Sequence, residues 1–296
     1  MLIKKLKITN ASGESIQFGR HFYLEDDFDL SALKASVTYS ESSDDGASYQ
    51  KTRLDVRDFS IPFFLKISVN SDGWIEEKRR EAFDVFNPKK NPMRLDFTTK
   101  ADKSYYLNAE LIAAPTFSTE EENSNEYWQD GLLQFSCHDP FIYEVNETLV
   151  QIATWVPSLI FPLVIPENEG IRFGYRSPSL IANVHNDGQD DTGMIIKFKA
   201  LGSLSTPSLV NVNTYEEFKL NMDMLPGDVV EVSTYKGRKY AHLIRNNITT
   251  SVFGKIDIGS KFLQLKSGDN LFRYNAESGL DNLEVSMYFT SKLLGV

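Results

Sequence analysis

A single cysteine, Cys137, stands in 296 residues. It excludes an intramolecular disulfide framework and any zinc site built on several thiolates. Histidine is scarce as well: His21, His138, His185 and His242 lie far apart, with no HxH or HxxxH pair. There is no glycine-rich phosphate loop with its lysine, no GxGxxG and no GxSxG. Positive charge is in deficit, 31 Lys and Arg against 41 Asp and Glu, for a formal net charge of -10. A chain this acidic is poorly suited to wrapping nucleic acid, whose phosphates demand clustered cations. The longest apolar run, Ile152 to Ile165, is broken by Pro157 and Pro162 and is too short to cross a bilayer. The start, MLIKKLKITN, alternates apolar and basic residues and lacks the apolar region of a signal peptide. The expectation is a protein made in a cytoplasm, without membrane insertion.

What is present leans toward β-structure. Hydrophobic content of 41% and charged content of 24% suit a globular chain, and 20 Phe with 13 Tyr favour strands over helices. The length is enough for two domains, each with its own core. Leu2 to Ile8 alternates as a strand, Asn10 to Gly13 makes a turn, and Ser15 to Phe18 returns. The polar stretch ESSDDGASYQK, with Asp45-Gly46 near its centre, reads as the tip of a projecting hairpin or as a surface loop. Ile61 to Val69 is a strand, and Asp72 is placed to cap a helix over 74–87. Ile75, Ala82, Phe83 and Phe86 form its apolar stripe, and Pro88 closes it.

Leu132 to Tyr143 (LLQFSCHDPFIY) organises the first half. Leu133, Phe135 and Cys137 share one face of a strand, Gln134, Ser136 and His138 the other. Asp139-Pro140 ends the ladder because proline has no N–H to donate. This predicts the last strand of a first domain, 1–145, followed by a proline-rich connection, 146–170. From 171 to 296 strands recur about every ten residues with turn signals between them, the rhythm of an antiparallel sandwich. Phe262 to Leu265 is among the expected strands. In the last, Leu283, Val285, Met287 and Phe289 point inward.

Candidate chemistry is thin. Cys137-His138-Asp139 looks like a ligand cluster, but adjacent strand residues face opposite ways, so Cys137 reads as core. His185 beside Asn186-Asp187-Gly188 and Asp190-Asp191 is either a cation-holding loop or a solvated hairpin tip. Paired carboxylates for glycoside hydrolysis need a spatial separation that residue order does not give. Trp74, Trp128 and Trp155 form either a sugar-stacking face or ordinary packing. The reading from residues alone is a non-enzyme with no catalytic, cofactor or metal site.

Several stretches in order resemble the distal tail protein family of long, non-contractile-tailed bacteriophages and related prophages. They are FGRHFYLEDDF, the Asp44-Asp45-Gly46 tip, WIEEKRREAFDVFNP, MRLDF, YYLNAEL and LLQFSCHDPFIY, whose "F-x-C-x-D-P-[FY]" form closes the family's first domain. FPLVIPENEG, SPSLIANVHNDG, TPSLVNVNT and SGDNLFRYNAE extend the resemblance through the second half. It implies a mainly β protein: a ring-forming N-terminal β domain with one helix, then a galectin-like antiparallel β-sandwich. It further implies a virion protein at the tail tip. A hexameric hub would join the tail tube protein to the tail-tip hub protein and hold a receptor-binding protein, while DNA only passes through the lumen. The hairpin tip, with Glu41, Asp44, Asp45, Gly46 and Tyr49, is then the expected subunit interface, laid across a neighbour's sheet edge. The alternative is a carbohydrate- or receptor-binding module using the C-terminal sandwich.

Overall fold

The computed structural model describes residues 3–25, 30, 33–41, 45–67, 74–120, 127–152, 155–157, 174–176 and 181–296. The chain forms two compact units, Met1–Val145 with Leu293–Val296, and Asn146–Lys292. Each has its own apolar core.

The first unit runs β1 (Ile3–Thr9), β2 (Ser15–Gln17), β3 (Phe22–Leu24), β4 (Ala35–Glu41), β5 (Ala47–Leu54) and β6 (Arg57–Lys66). Helix α1 (Ile75–Val85) follows, then β7 (Met93–Thr99), β8 (Ser104–Leu111), β9 (Thr116–Phe117), β10 (Trp128–Cys137) and β11 (Ile142–Glu144). The main sheet has the order β2-β1-β7-β8-β10-β6-β3. Its two end strands are joined only by Phe18 to His21, so the sheet curls nearly closed around its core. Strict alternation drives this: Phe59, Ile61, Phe63 and Leu65 of β6 and Leu133, Phe135 and Cys137 of β10 are all buried. β10 and β6 pair along their full lengths, from Trp128 opposite Lys66 to Cys137 opposite Arg57.

Three expectations shift. β10 is central, yet it is not the last strand of its unit. Asp139-Pro140 only turns the chain, and buried Ile142 brings β11 back onto β8. The chain's final residues, Leu293–Val296, also fall in this unit rather than in a C-terminal body spanning 171–296. The helix is Ile75–Val85, between Trp74 and Phe86 as caps, and it buries Ile75, Ala82 and Val85. Phe83 does not join the buried stripe. Helical winding sets it at the border, 40% exposed, edge-on to Phe117 at 5.4 Å. The expected cap Asp72 lies outside the described residues.

The second unit stacks two antiparallel sheets. One orders Thr148–Gln151, Leu283–Phe289, Ile195–Ala200, Val229–Ser233, Tyr240–Arg245 and Ile248–Ser251. The other orders Ile181–Asn186, Gly268–Asn275, Ser208–Asn211 and Glu217–Lys219. Thr148–Gln151, at the head of the predicted connection, is thus a strand, paired with Leu283–Phe289. Most of the connection's remainder lies outside the described residues. Asn246 and Asn247, at φ of 50° and 61°, make the two-residue turn between Tyr240–Arg245 and Ile248–Ser251. That conformation matches the twist of a hairpin. Phe262 to Leu265 is not a strand. Leu263 and Leu265 reach the core from a loop, held by one bridge to Thr192. Among the described residues no α-helix occurs after residue 85, only short 3-10 turns.

Candidate functional site

Strands β4 and β5 form a two-stranded sheet of their own, paired from Ala35 opposite Leu54 to Glu41 opposite Ala47. Gly46, at φ 99° just before β5, and a bulge between Thr38 and Tyr39 give the ribbon its shape. Nearly every residue of it is exposed, including Val37 (55%), Tyr39 (61%) and Tyr49 (66%). Among the described residues its side-chain bonds are few: Tyr49 Oη donates to Thr52 Oγ1 at 3.1 Å, Ser36 Oγ to Asp55 at 2.7 Å, and Arg53 lies 3.8 Å from Asp55. An isolated two-stranded ribbon is marginal in water, and this one displays three large apolar side chains. The expected interface residues Glu41, Asp45, Gly46 and Tyr49 sit together on it, all exposed. Asp44 lies outside the described residues.

Other candidates resolve differently. The Cys137 thiol is buried, its one S–H within reach of both the Asn108 and Asp139 carbonyls, and its pKa is pushed up to about 12 by burial. A thiol so placed is a core group and a poor nucleophile. His138 faces away, 2.7 Å from Glu110, whose hydrogen bond raises its pKa. His185 lies 2.7 Å from Asp269 and 3.3 Å from Asp187, and Asn183 donates to the same Asp269 oxygen. Among the described residues no three His, Cys, Asp or Glu side chains converge to hold a metal. No helix among them is long and apolar enough to cross a membrane.

The His185 arrangement makes a testable statement about pH. The Asp269 hydrogen bond holds the imidazolium and raises its pKa. The resulting stabilisation is therefore complete below about 6.5, the ordinary histidine value, and is lost as pH rises through the raised folded value. A proton-resonance titration is expected to put His185 above an ordinary histidine, and Asp269→Asn to bring it back. An unchanged midpoint in that variant would contradict the assignment.

Two outward-facing aromatic ladders escaped the sequence reading. Tyr23 stacks on Phe64 at 5.2 Å, and Phe64 on Trp128 at 3.9 Å. On the opposite stretch Arg94 lies over Tyr106 at 3.9 Å, and Tyr106 stacks on Tyr143 at 5.4 Å. Their signal in the sequence is the aromatic residue at an outward position of consecutive strands, which only the strand order aligns. Trp128 is thereby packed, whereas Trp74 is 68% exposed. The side chain of Trp155 lies outside the described residues.

Comparison with known proteins covers both units. Residues 13–137 match the phage tail protein RIFT-related domain. Residues 187–292 match the C-terminal domain of the siphovirus-type tail component. No curated protein matches the sequence significantly. Among solved structures, the chain is similar to the SPP1 Dit protein, described as a paradigm of the hub adsorption apparatus in phages infecting Gram-positive hosts. The TM-score is 0.66 at 12% identity, over 97% of this chain and 98% of that one. It is also similar to a chain of the phage P2 baseplate in its activated conformation with Ca, TM-score 0.55 at 10% identity, covering 99% of each. The Sr form gives 0.56 at 11%, again over 99% of each.

Proposed function

This chain belongs to the distal tail protein family of siphovirus-type phages, and from that premise we propose that it forms a hexameric hub joining the tail tube to the tail tip. Members of the family are structural tail components, and the reading requires no reaction from this one. In it, residues 1–145 build the ring and the C-terminal sandwich, taken as galectin-like, holds a receptor-binding protein. The acidic character of the chain suits a lumen through which DNA passes without being gripped, since like charges do not pair.

One observation carries the ring: a ribbon, β4–β5, that is ordered as a hairpin while having almost nothing of its own to cover it. Cyclic assemblies need one patch to meet a different patch next door, and a projecting ribbon laid on a neighbour supplies such a contact. Glu41, Asp44, Asp45, Gly46 and Tyr49 are the residues assigned to it. The test is hydrogen exchange over residues 35–54 across a concentration series. Protection that rises with concentration, and self-association that disappears when 36–53 is replaced by a short Gly-Ser turn, is the expected result. Exchange that stays fast at every concentration while the protein self-associates would remove the ribbon from the interface.

A further inference from the structure

The two sheets of the second unit do not end alike. At Glu217–Lys219 the shorter sheet is closed by the chain itself: Asp257 N–H donates to the Lys219 carbonyl at 3.0 Å, and Lys261 N–H to the Glu217 carbonyl at 2.8 Å. The six-stranded sheet ends on Ile248–Ser251, and among the described residues its second edge carries no ladder. The phase of the hairpin fixes which groups are left over. Val252 N–H donates to the Ala241 carbonyl at 2.9 Å. By alternation Ile248 and Thr250 turn their N–H and C=O inward to Tyr240–Arg245, and Thr249 and Ser251 turn theirs to solvent. All four residues are exposed, three of them are β-branched, and the strand holds no lysine, proline or bulge to blunt it.

The surroundings of this edge are basic and apolar. From Val232 to Ile256 there is no Asp or Glu, in a chain that has 41, while five Lys or Arg stand there. Arg245 is held by Asp228, its Nε at 2.7 Å. Arg238, Lys239 and Lys255 enter no ion pair among the described residues. They belong to the end of the strand: Lys239 Nζ lies 4.6 Å from the centre of the Phe262 ring, which stacks on Phe253 at 6.0 Å. Lys255 closes the 3-10 turn Phe253–Lys255 that follows Ser251. Ile248 and Thr250 share the face of buried Leu243, yet Ile248 is 66% exposed. The core-side face of the sheet thus continues uncovered to its edge.

We propose that Ile248–Ser251 is the docking edge for an extended acidic segment of a partner protein, added antiparallel as a seventh strand. A row of free backbone N–H and C=O groups is matched in register by another backbone, which favours a polypeptide over a nucleic acid or an anionic glycan. A second copy joined edge to edge brings no carboxylate, since Val232 to Ile256 holds none, and leaves these cations unmatched. The sheet is antiparallel throughout, so the incoming strand runs against Ile248–Ser251. Its N-terminal end then lies toward Arg238, Lys239 and Lys255, and that is where its Asp and Glu belong. Backbone bonds supply the register and the charges the direction. This deepens the reading in which the sandwich holds another tail protein, and names the kind of segment that it takes. The competing account is that the cations only guard the edge against pairing.

The probe is a fluorescein-labelled peptide, Glu-Glu-Asp-Val-Thr-Val-Thr-Val, titrated with the full-length chain and followed by anisotropy. Binding is expected, and it is expected to weaken about tenfold or more for the reversed peptide and for Arg238→Glu with Lys239→Glu, and to fall with salt. Thr249→Pro is the sharper variant. The Thr249 N–H faces solvent, so proline deletes an edge donor and no bond to Tyr240–Arg245. Binding is expected to be lost there, with the circular dichroism of the free chain unchanged. Amide exchange supplies the geometric readout: Thr249 and Ser251 are expected to slow with peptide bound, whereas Val252, already bonded to Ala241, stays as it was. Should Thr249→Pro unfold the sandwich, the charge variant and this exchange pattern decide. A wild type that does not bind the peptide overturns the proposal and leaves the cations as guards. Binding that survives Thr249→Pro and is displaced by polyphosphate also overturns it, since the patch then takes any polyanion. Either failure leaves the ring standing, because self-association tests that separately.

Discussion

Phe135→Ala is expected to destabilise the first unit by about 3–5 kcal/mol, the cost of truncating a fully buried aromatic side chain. Phe135 is 0% exposed and stacks on Phe59 at 5.4 Å. Its strand is the hinge of the sheet: at this residue β10 pairs with Phe59 of β6 on one side and Leu111 of β8 on the other. Neighbours on both sides are held by ladders, so the space left by the ring collapses only partly. Urea unfolding checks it, followed by tryptophan fluorescence, since Trp128 lies in the same strand and stacks on Phe64. A loss below about 1 kcal/mol would mean that β10 is peripheral, contrary to its place between β8 and β6.

The second large effect belongs to Arg57, which is 1% exposed at the start of β6. Its Nε donates to the Pro140 carbonyl at 2.9 Å and its Nη2 to the Leu294 carbonyl at 2.7 Å. One guanidinium therefore ties the turn after β10 to the returning end of the chain. Arg57→Met keeps length and apolar stem but removes the donors, and the loss is expected at about 3 kcal/mol, two hydrogen bonds from a charged group. The diagnostic is local. Amide exchange at 142–144 and 293–296 is expected to accelerate before that of β6 and β10. Uniform acceleration through the unit would show that Arg57 acts on the core at large instead of pinning the tail.

Much of this fold was legible because strand alternation is a short-range signal. Leu133, Phe135 and Cys137, or Leu283, Val285, Met287 and Phe289, announce one buried face each, and all of them are buried. The Asn246-Asn247 turn is an equally local signal, since few other pairs accept left-handed conformations at both positions. What stayed hidden depends on contacts distant in the chain. Nothing local in SKLLGV says that its last residues return to the first unit, because their partners, the Arg57 guanidinium and the strand Ile142–Glu144, are far away in the chain. Leu263 and Leu265 alternate like a strand but lack a partner ladder, so the same pattern yields a loop that dips into the core. The candidate interface was readable as a hairpin with an Asp-Gly tip. Its exposed tyrosines gained meaning only once the ribbon proved to stand apart from the main sheet. The open edge at Ile248–Ser251 was not readable at all, for an edge exists only after strand order is known.

Native mass spectrometry of the full-length chain at tens of micromolar tests the central claim most directly. A closed head-to-tail ring predicts monomer and a single larger species of six copies, with little between them, because the last contact closes the circle. Its population is expected to rise steeply with concentration and to fall with salt. A monomer alone throughout, or a ladder of open oligomers growing without limit, would contradict it.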